Sequence, residues 1–462
     1  MTSKSETRAS RPSRRVRALK VLGGAVAAAL TAAAPLPLSS SAAAAATLPN
    51  APRGQDVKDF YSIRQERPLW FQAGRLTQAG QDLFALLSSA GVDGLNPSDY
   101  NLTGIAKALQ SASPSDPRAI EKADFLLSQA FADYARDLRN APDAGMHFVV
   151  PMLKPQVPTP LAFLATAAAA PSLDQYVKNM GWMNPLYAQL RQALASGSFQ
   201  DQKQRDLLTI NMARARVLPT GSGRYILVNP AEQRLYMYEG GKPVDSMKVV
   251  VGQQREDRNT PMFATYVYNA DLNPYLSVPP DLVGDDVAIH VLKQGLGYLK
   301  NSGFQVLSDW SDNATVVDPS TVDWKAVYAG KVQIRVRQLP GIHNVLGTLM
   351  FNVPNPYGVY LHDTSQRDLL DKNVRLYSGG CIRLEDAPRL GTWLFGHPLD
   401  RNTDQPDVQV PLASPVPVYV TYLTAMPNGS SITYLDDVYG RDAQQLADMP
   451  GGGGGKSNAA MR

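Results

Sequence analysis

Cysteine is the scarcest residue of this 462-residue chain, with Cys381 standing alone. A single thiol excludes an internal disulfide and a thiolate zinc site, and leaves two roles: a small buried hydrophobe or a reactive nucleophile. Histidine is nearly as scarce, with five. His147, His290 and His397 show no ligand spacing, so neither a metal nor a cofactor is expected. His343, in the Gly341 to Gly347 loop, reads as a surface or turn residue. Long apolar runs are missing too, apart from the small-residue stretch Val21 to Ala34, so a soluble mature chain is expected.

That stretch follows Arg8, Arg11, Arg14, Arg15, Arg17 and Lys20 and precedes the small residues up to Ala46, the layout of a secretory signal peptide cleaved near Ala44 to Ala46. Export to the periplasm is the expectation. Residues 1–46 carry seven Lys/Arg against Glu6, a surplus of six, so the formal charge of +4 becomes 4 − 6 = −2 for the mature chain. A surface so near neutrality lacks the basic footprint of a nucleic-acid binder. The remaining 462 − 46 = 416 residues suffice for two or three domains.

From 47 to 218 the apolar spacing is helical, as in Leu127, Phe131, Tyr134 and Leu138, or Tyr187, Leu190 and Leu194, and the residues fall on core faces. Pro/Ala-rich segments such as Pro151 to Pro171 are expected to break these helices. After Pro219 the pattern turns to short β-rich runs: Tyr225 to Val228, Gln233 to Glu239 and Met247 to Val251, with Glu239-Gly240-Gly241-Lys242 as a hairpin turn. Strand signals return at Val332 to Val336, Leu349 to Val353, Val359 to Leu361 and Val418 to Leu423. The looser segment between, Asn269 to Arg337, has the length of a lid or binding element. The fold class expected is α+β, with a helical scaffold over 47–218, a mainly-β domain over 219–440 and a disordered tail over 441–462 that holds Gly451 to Gly455.

Chemistry concentrates in Tyr360-Leu361-His362-Asp363 and Ser378-Gly379-Gly380-Cys381-Ile382-Arg383. A thiol attacks as thiolate and so needs a base or a positive neighbour; His362 stands 381 − 362 = 19 residues earlier, close enough for a loop to bring both to one sheet edge. Acyl transfer also needs main-chain N–H groups aimed at the developing oxyanion, and the flanking glycines nominate those of Gly380 and Cys381. The imidazole requires an orienter, either a main-chain carbonyl or the Asp363 carboxylate. Arg383 has two readings, a structural ion pair with Glu385 or Asp386, or a contact with substrate.

These residues resemble the L,D-transpeptidases with a YkuD-type catalytic domain, specifically the long periplasmic members with a scaffold domain. The family pattern of His, a gap, Ser/Thr, a variable residue, Gly-Cys, an apolar residue and Arg or Asn is met by His362, Ser378, Gly379, Gly380, Cys381, Ile382 and Arg383. The likeness extends to Asn211 to Arg214, Arg258 to Met262, Val278 to Pro280 and Gln338 to Phe351. It implies a β-sandwich-like catalytic domain with a substrate-capping insertion near 269–337. It also implies a reaction in which Cys381 acylates on a peptidoglycan tetrapeptide stem and a neighbouring stem amine resolves the thioester into a 3-3 cross-link. His362 would be base, then acid. Tyr360, Asp363, Ser378, Gly379 and Arg383 would shape the site or hold the stem, and wall-synthesis proteins are further partners. Short relatives carry His where this chain has Gly379, and no inserted peptidoglycan-binding repeat fits between Phe199 and Leu218.

Alternatives share the thioester or discard it. Water, a free amino acid or a protein amine in place of the stem amine gives an L,D-carboxypeptidase, amino-acid exchange or attachment of a protein to the wall. A non-catalytic wall-binding protein would leave the thiol idle. A sortase shares the His-before-Cys order, but the 19-residue gap and Gly-Gly-Cys argue against it, and a papain- or NlpC-like peptidase would place Cys before His.

Overall fold

The computed structural model describes residues 54–140 and 143–448. The expected leader (1–46) and the glycine run at 451–455 lie outside the described residues.

The N-terminal half is helical, and its longest helix, α1 (Pro117–Arg139), starts where the side chain of Asp116 caps the N–H of Ala119 and proline fills the first turn. Its buried face carries Ile120, Leu127, Phe131, Tyr134 and Leu138, the spacing read from the sequence. Buried Asp93 joins it to α2 (Pro185–Ala195), accepting hydrogen bonds from Tyr134 Oη (2.8 Å) of α1 and from Tyr187 Oη (2.6 Å) and Arg191 Nε (2.8 Å) of α2. A third helix, α3 (Gln202–Arg216), leads into the β-rich half. The proline-rich span expected to break helices instead holds one, Pro160–Ala168, because Pro160 sits in its first turn behind the Thr159 cap, where no backbone N–H is needed.

The β-rich half is built on strands β1 (His147–Phe148), β2 (Tyr225–Asn229), β3 (Arg234–Glu239), β4 (Lys242–Gly252), β5 (Phe263–Leu272), β6 (Leu349–Asn352), β7 (Leu361–His362), β8 (Ile382–Leu384) and β9 (Val408–Val420). They pair in the order β6-β7-β8-β4-β3-β2-β9-β5-β1, and β6 also pairs with β5, so the sheet folds back on itself. The β3–β4 hairpin turns on Gly240 (φ +63°) and Gly241 (φ +77°), both in the left-handed region that a type I′ turn demands. In β2 every residue is buried because the strand feeds two cores. Ile226 and Val228 point inside the folded sheet, while Tyr225 and Leu227 join the core shared with the helices.

Residues 273–348 leave the sheet between β5 and β6. They form a small unit with its own four-stranded sheet, short helices such as Trp324–Tyr328, and a core of Val278, Val283, Val306 and Val336. The insertion expected from Asn269 therefore starts later, since β5 runs on to Leu272. The tail expected to be disordered from 441 instead opens with ordered residues. Arg441–Asp448 is a helix, α4, held by a buried ion pair between Asp442 and Arg214 of α3 (2.5 Å).

Candidate active site

Two short parallel strands position the chemistry. Leu361 pairs with Ile382 and His362 with Arg383, so His362 ends β7 and Cys381 directly precedes β8. The strands run parallel, which the 19-residue separation permits by a crossover through Arg367–Asp371 and the strand Leu376–Ser378 beside β4. Leu361, Ile382 and Leu384 fill the inner core, so the alternate residues His362 and Arg383 share the opposite face.

His362 is buried, and its Nδ1–H donates to the main-chain carbonyl of Asp363 at 2.5 Å. That carbonyl, and not the neighbouring carboxylate, orients the ring. Burial first, and then the charge of Arg383, pushes the imidazole pKa down to about 3, against the carbonyls of Asp363 and Leu346, which favour the protonated ring. The ring is therefore neutral, with Nε2 as its lone-pair nitrogen.

Cys381 is partly exposed. Its thiol donates to Gly358 O at 3.6 Å. Burial raises the thiol above its ordinary value, opposed by the Tyr360 N–H and the Arg383 charge. No thiol–imidazole hydrogen bond forms among the described residues, and the resting pair is neutral on both sides. Contacts of this kind commonly tighten only once substrate is bound.

The turn before the thiol is braced from inside. Ser378 is 1% exposed; its hydroxyl donates to Cys381 O (2.6 Å) and accepts from Gly380 N (3.1 Å). Gly380, with φ +124°, occupies a backbone region that favours glycine. Its carbonyl accepts from Thr260 Oγ1 (2.8 Å), which in turn accepts from Gly252 N (2.9 Å). The Gly380 N–H, expected to face an oxyanion, is thus already committed to Ser378. The Cys381 N–H forms no bond among the described residues and is the free donor of the pair.

The other expected site residues divide. Tyr360 is 37% exposed and borders the thiol, while Gly379 is exposed on the turn. Arg383 forms no ion pair with Glu385 or Asp386, which instead lie near Arg389 (4.0 and 3.6 Å). Its guanidinium donates to Gln366 Oε1, its Nε is buried without an acceptor among the described residues, and its charge acts on both Cys381 and His362. Asp363, expected to hold substrate, is 5% exposed, and its carboxylate is turned inward to Thr348 N (3.2 Å) and Arg367. Sequence reading missed Thr260, whose role depends on a contact 120 residues away. It also missed Asn355, which accepts from Val359 N (3.1 Å) and so shapes the loop presenting Gly358 O to the thiol.

No group of three or more potential metal ligands occurs among the described residues. His147 meets Tyr357 Oη at 2.8 Å, while His290 and His397 bond main-chain carbonyls at 2.8 and 3.0 Å.

Residues 223–415 match the YkuD family model, described as the L,D-transpeptidase catalytic domain, and residues 55–194 match the model described as the scaffold domain. A Haemophilus influenzae protein named "Putative L,D-transpeptidase" is 26% identical over 404 residues, 84% of this chain and 79% of that protein. Among solved structures, the catalytic domain of an E. faecium L,D-transpeptidase aligns at 17% identity over 43% of this chain and 97% of its own, with a TM-score of 0.21. An L,D-transpeptidase from Mycobacterium smegmatis aligns at 13% identity over 44% of this chain and 60% of its own, again with a TM-score of 0.21.

Proposed function

The chain belongs to the L,D-transpeptidase family, and we propose that it is exported to the periplasm, where it forms 3-3 cross-links between peptidoglycan stems through an acyl-enzyme on Cys381. The observation that carries this reading is the placement of a neutral imidazole, fixed by the Asp363 carbonyl, on the strand beside the one that Cys381 precedes, with the Arg383 guanidinium, which has no carboxylate partner among the described residues, acting on both.

The chemistry follows from those charge states. A neutral thiol beside a neutral ring attacks by transferring its proton to Nε2 as sulfur meets the stem carbonyl. The oxyanion accepts from the Cys381 N–H, and the imidazolium returns its proton to the departing D-Ala amine. A second stem amine then attacks the thioester carbonyl, amide forms, and the thiol is released. Arg383 stabilises the thiolate as it develops, without a standing carboxylate to neutralise it.

Incubation with a disaccharide tetrapeptide tests this. Mass spectrometry should find loss of one D-Ala to a protein-bound thioester, followed by a 3-3 linked dimer. Release of tripeptide with no dimer would favour the carboxypeptidase reading, and an unmodified protein with intact tetrapeptide would exclude both.

A further inference from the structure

The register of the folded sheet extends the active-site row beyond His362. Arg383 of β8 pairs with His362 of β7, His362 with Met350 of β6, and Met350 with Asp271 of β5. Paired residues share a face, so Arg383, His362, Met350 and Asp271 stand in one line on the side away from the inner core. Their alternates confirm the facing, since Ala270, Leu272, Phe351, Leu361 and Ile382 all lie in that core. Asp271 is two strand spacings from His362, roughly 10 Å.

Its surroundings do not resemble those of a structural carboxylate. Asp271 is 3% exposed, yet no cation pairs with it among the described residues. Its hydrogen-bond donor is Asn269 Nδ2, and the charge that acts on it is that of another acid, Asp407. A buried unpaired carboxylate is costly and needs a reason. Tyr360 lies within electrostatic range of both Cys381 and Asp271. Asp271 also stands one residue before the end of β5, at the foot of the 273–348 insertion. The row thus ends in a cation on β8, the strand that Cys381 precedes, and in an anion on β5.

We infer that Asp271 is the acceptor-recognition residue: its carboxylate draws the ammonium group of the incoming amine in from the end of the row opposite Arg383 and takes its first proton. This rests on the acyl-enzyme reading above. The proton balance closes. The ammonium gives one proton to Asp271 and becomes nucleophilic; its nitrogen forms the amide bond as the C–S bond breaks. The second proton passes through His362 to the leaving sulfur, and Asp271 then releases its own to solvent. Burial, and then Asp407, raise the Asp271 carboxyl to about 6, where it can accept and release a proton near neutrality.

The experiment forms the thioester from a tetrapeptide stem and measures how it partitions between water and two amines near neutral pH: a lysine-type side-chain ammonium, and methoxyamine, which is uncharged there. For Asp271→Asn the aminolysis-to-hydrolysis ratio should fall about tenfold or more with the charged amine and change less than about twofold with methoxyamine. Asp271→Glu should recover part of the loss. An unchanged partition, or an equal fall with both amines, overturns the inference while leaving the acylation reading intact. A wild type that forms no thioester overturns both.

Discussion

At the scale of single residues, the thiol and the imidazole oppose each other less than their names imply. Burial favours the neutral form of each, so the site stores no thiolate–imidazolium pair before substrate arrives. The consequence for pH is specific. His362 is depressed from 6.5 to about 3, so the ring stays a base well below the usual histidine range. Acylation by a β-lactam should therefore show no acid limb near pH 6.5 and hold level down to about pH 5. A stopped-flow profile with a midpoint near 6.5 would contradict the assignment. The same shift couples to stability: between about 3 and 6.5 the unfolded chain binds the extra proton, so this residue's contribution is present above 6.5 and is lost as pH falls toward 3. Gly380 is a second single-residue constraint, because its φ of +124° strains any side-chain-bearing replacement.

At the scale of elements, the turn 378–381 is held by segments distant in sequence. Thr260, fully buried, bridges Gly252 N and Gly380 O, and Arg441 of α4 donates to Thr260 O (2.7 Å). Tyr439, just before that helix, donates to Gly252 O (2.6 Å). Thr260→Val keeps the shape but strands a buried donor and a buried acceptor, which costs about 1–3 kcal/mol each. The expected outcome is a clear fall in stability by denaturant titration and at least a tenfold slower acylation, both recovered by Thr260→Ser. Wild-type acylation by Thr260→Val would show that the brace does not position the thiol. The insertion between β5 and β6 rises from the strand ends that carry Asp271 and Met350.

At the scale of the whole molecule, the helices and the sheet are not separable layers. One core joins Phe131, Tyr134 and Leu190 of the helices to Tyr225, Leu227, Tyr238 and Tyr419 of the sheet, and β1, from the N-terminal half, pairs with β5. Calorimetry should give one cooperative transition for the two halves; two well-resolved transitions would contradict a shared core. This entanglement also explains what the sequence disclosed. Leu127, Phe131, Tyr134 and Leu138 were legible because a one-sided helix keeps its 3.6 period, and Gly240-Gly241 because a type I′ turn requires it. The Ser-Gly-Gly-Cys-Ile-Arg run and His362 stood out because thiol, imidazole and turn lie close along the chain. Asp271 was not, since it reaches the row only through two strand registers, and no periodicity encodes register between strands so far apart. Nor was α4, whose anchor is the buried Asp442–Arg214 pair, formed with a helix residue 228 positions earlier. Gly380 was misjudged because its N–H direction depends on the Ser378 rotamer, which a sequence does not carry.

Everything in this account turns on Cys381 as the atom that becomes acylated. Intact-mass spectrometry after incubation with a carbapenem reads that event without needing an acceptor. The expected result is one adduct on the wild type, at Cys381 by peptide mapping, and none on Cys381→Ala. A wild type left at its native mass, or an adduct that persists in Cys381→Ala, would contradict it.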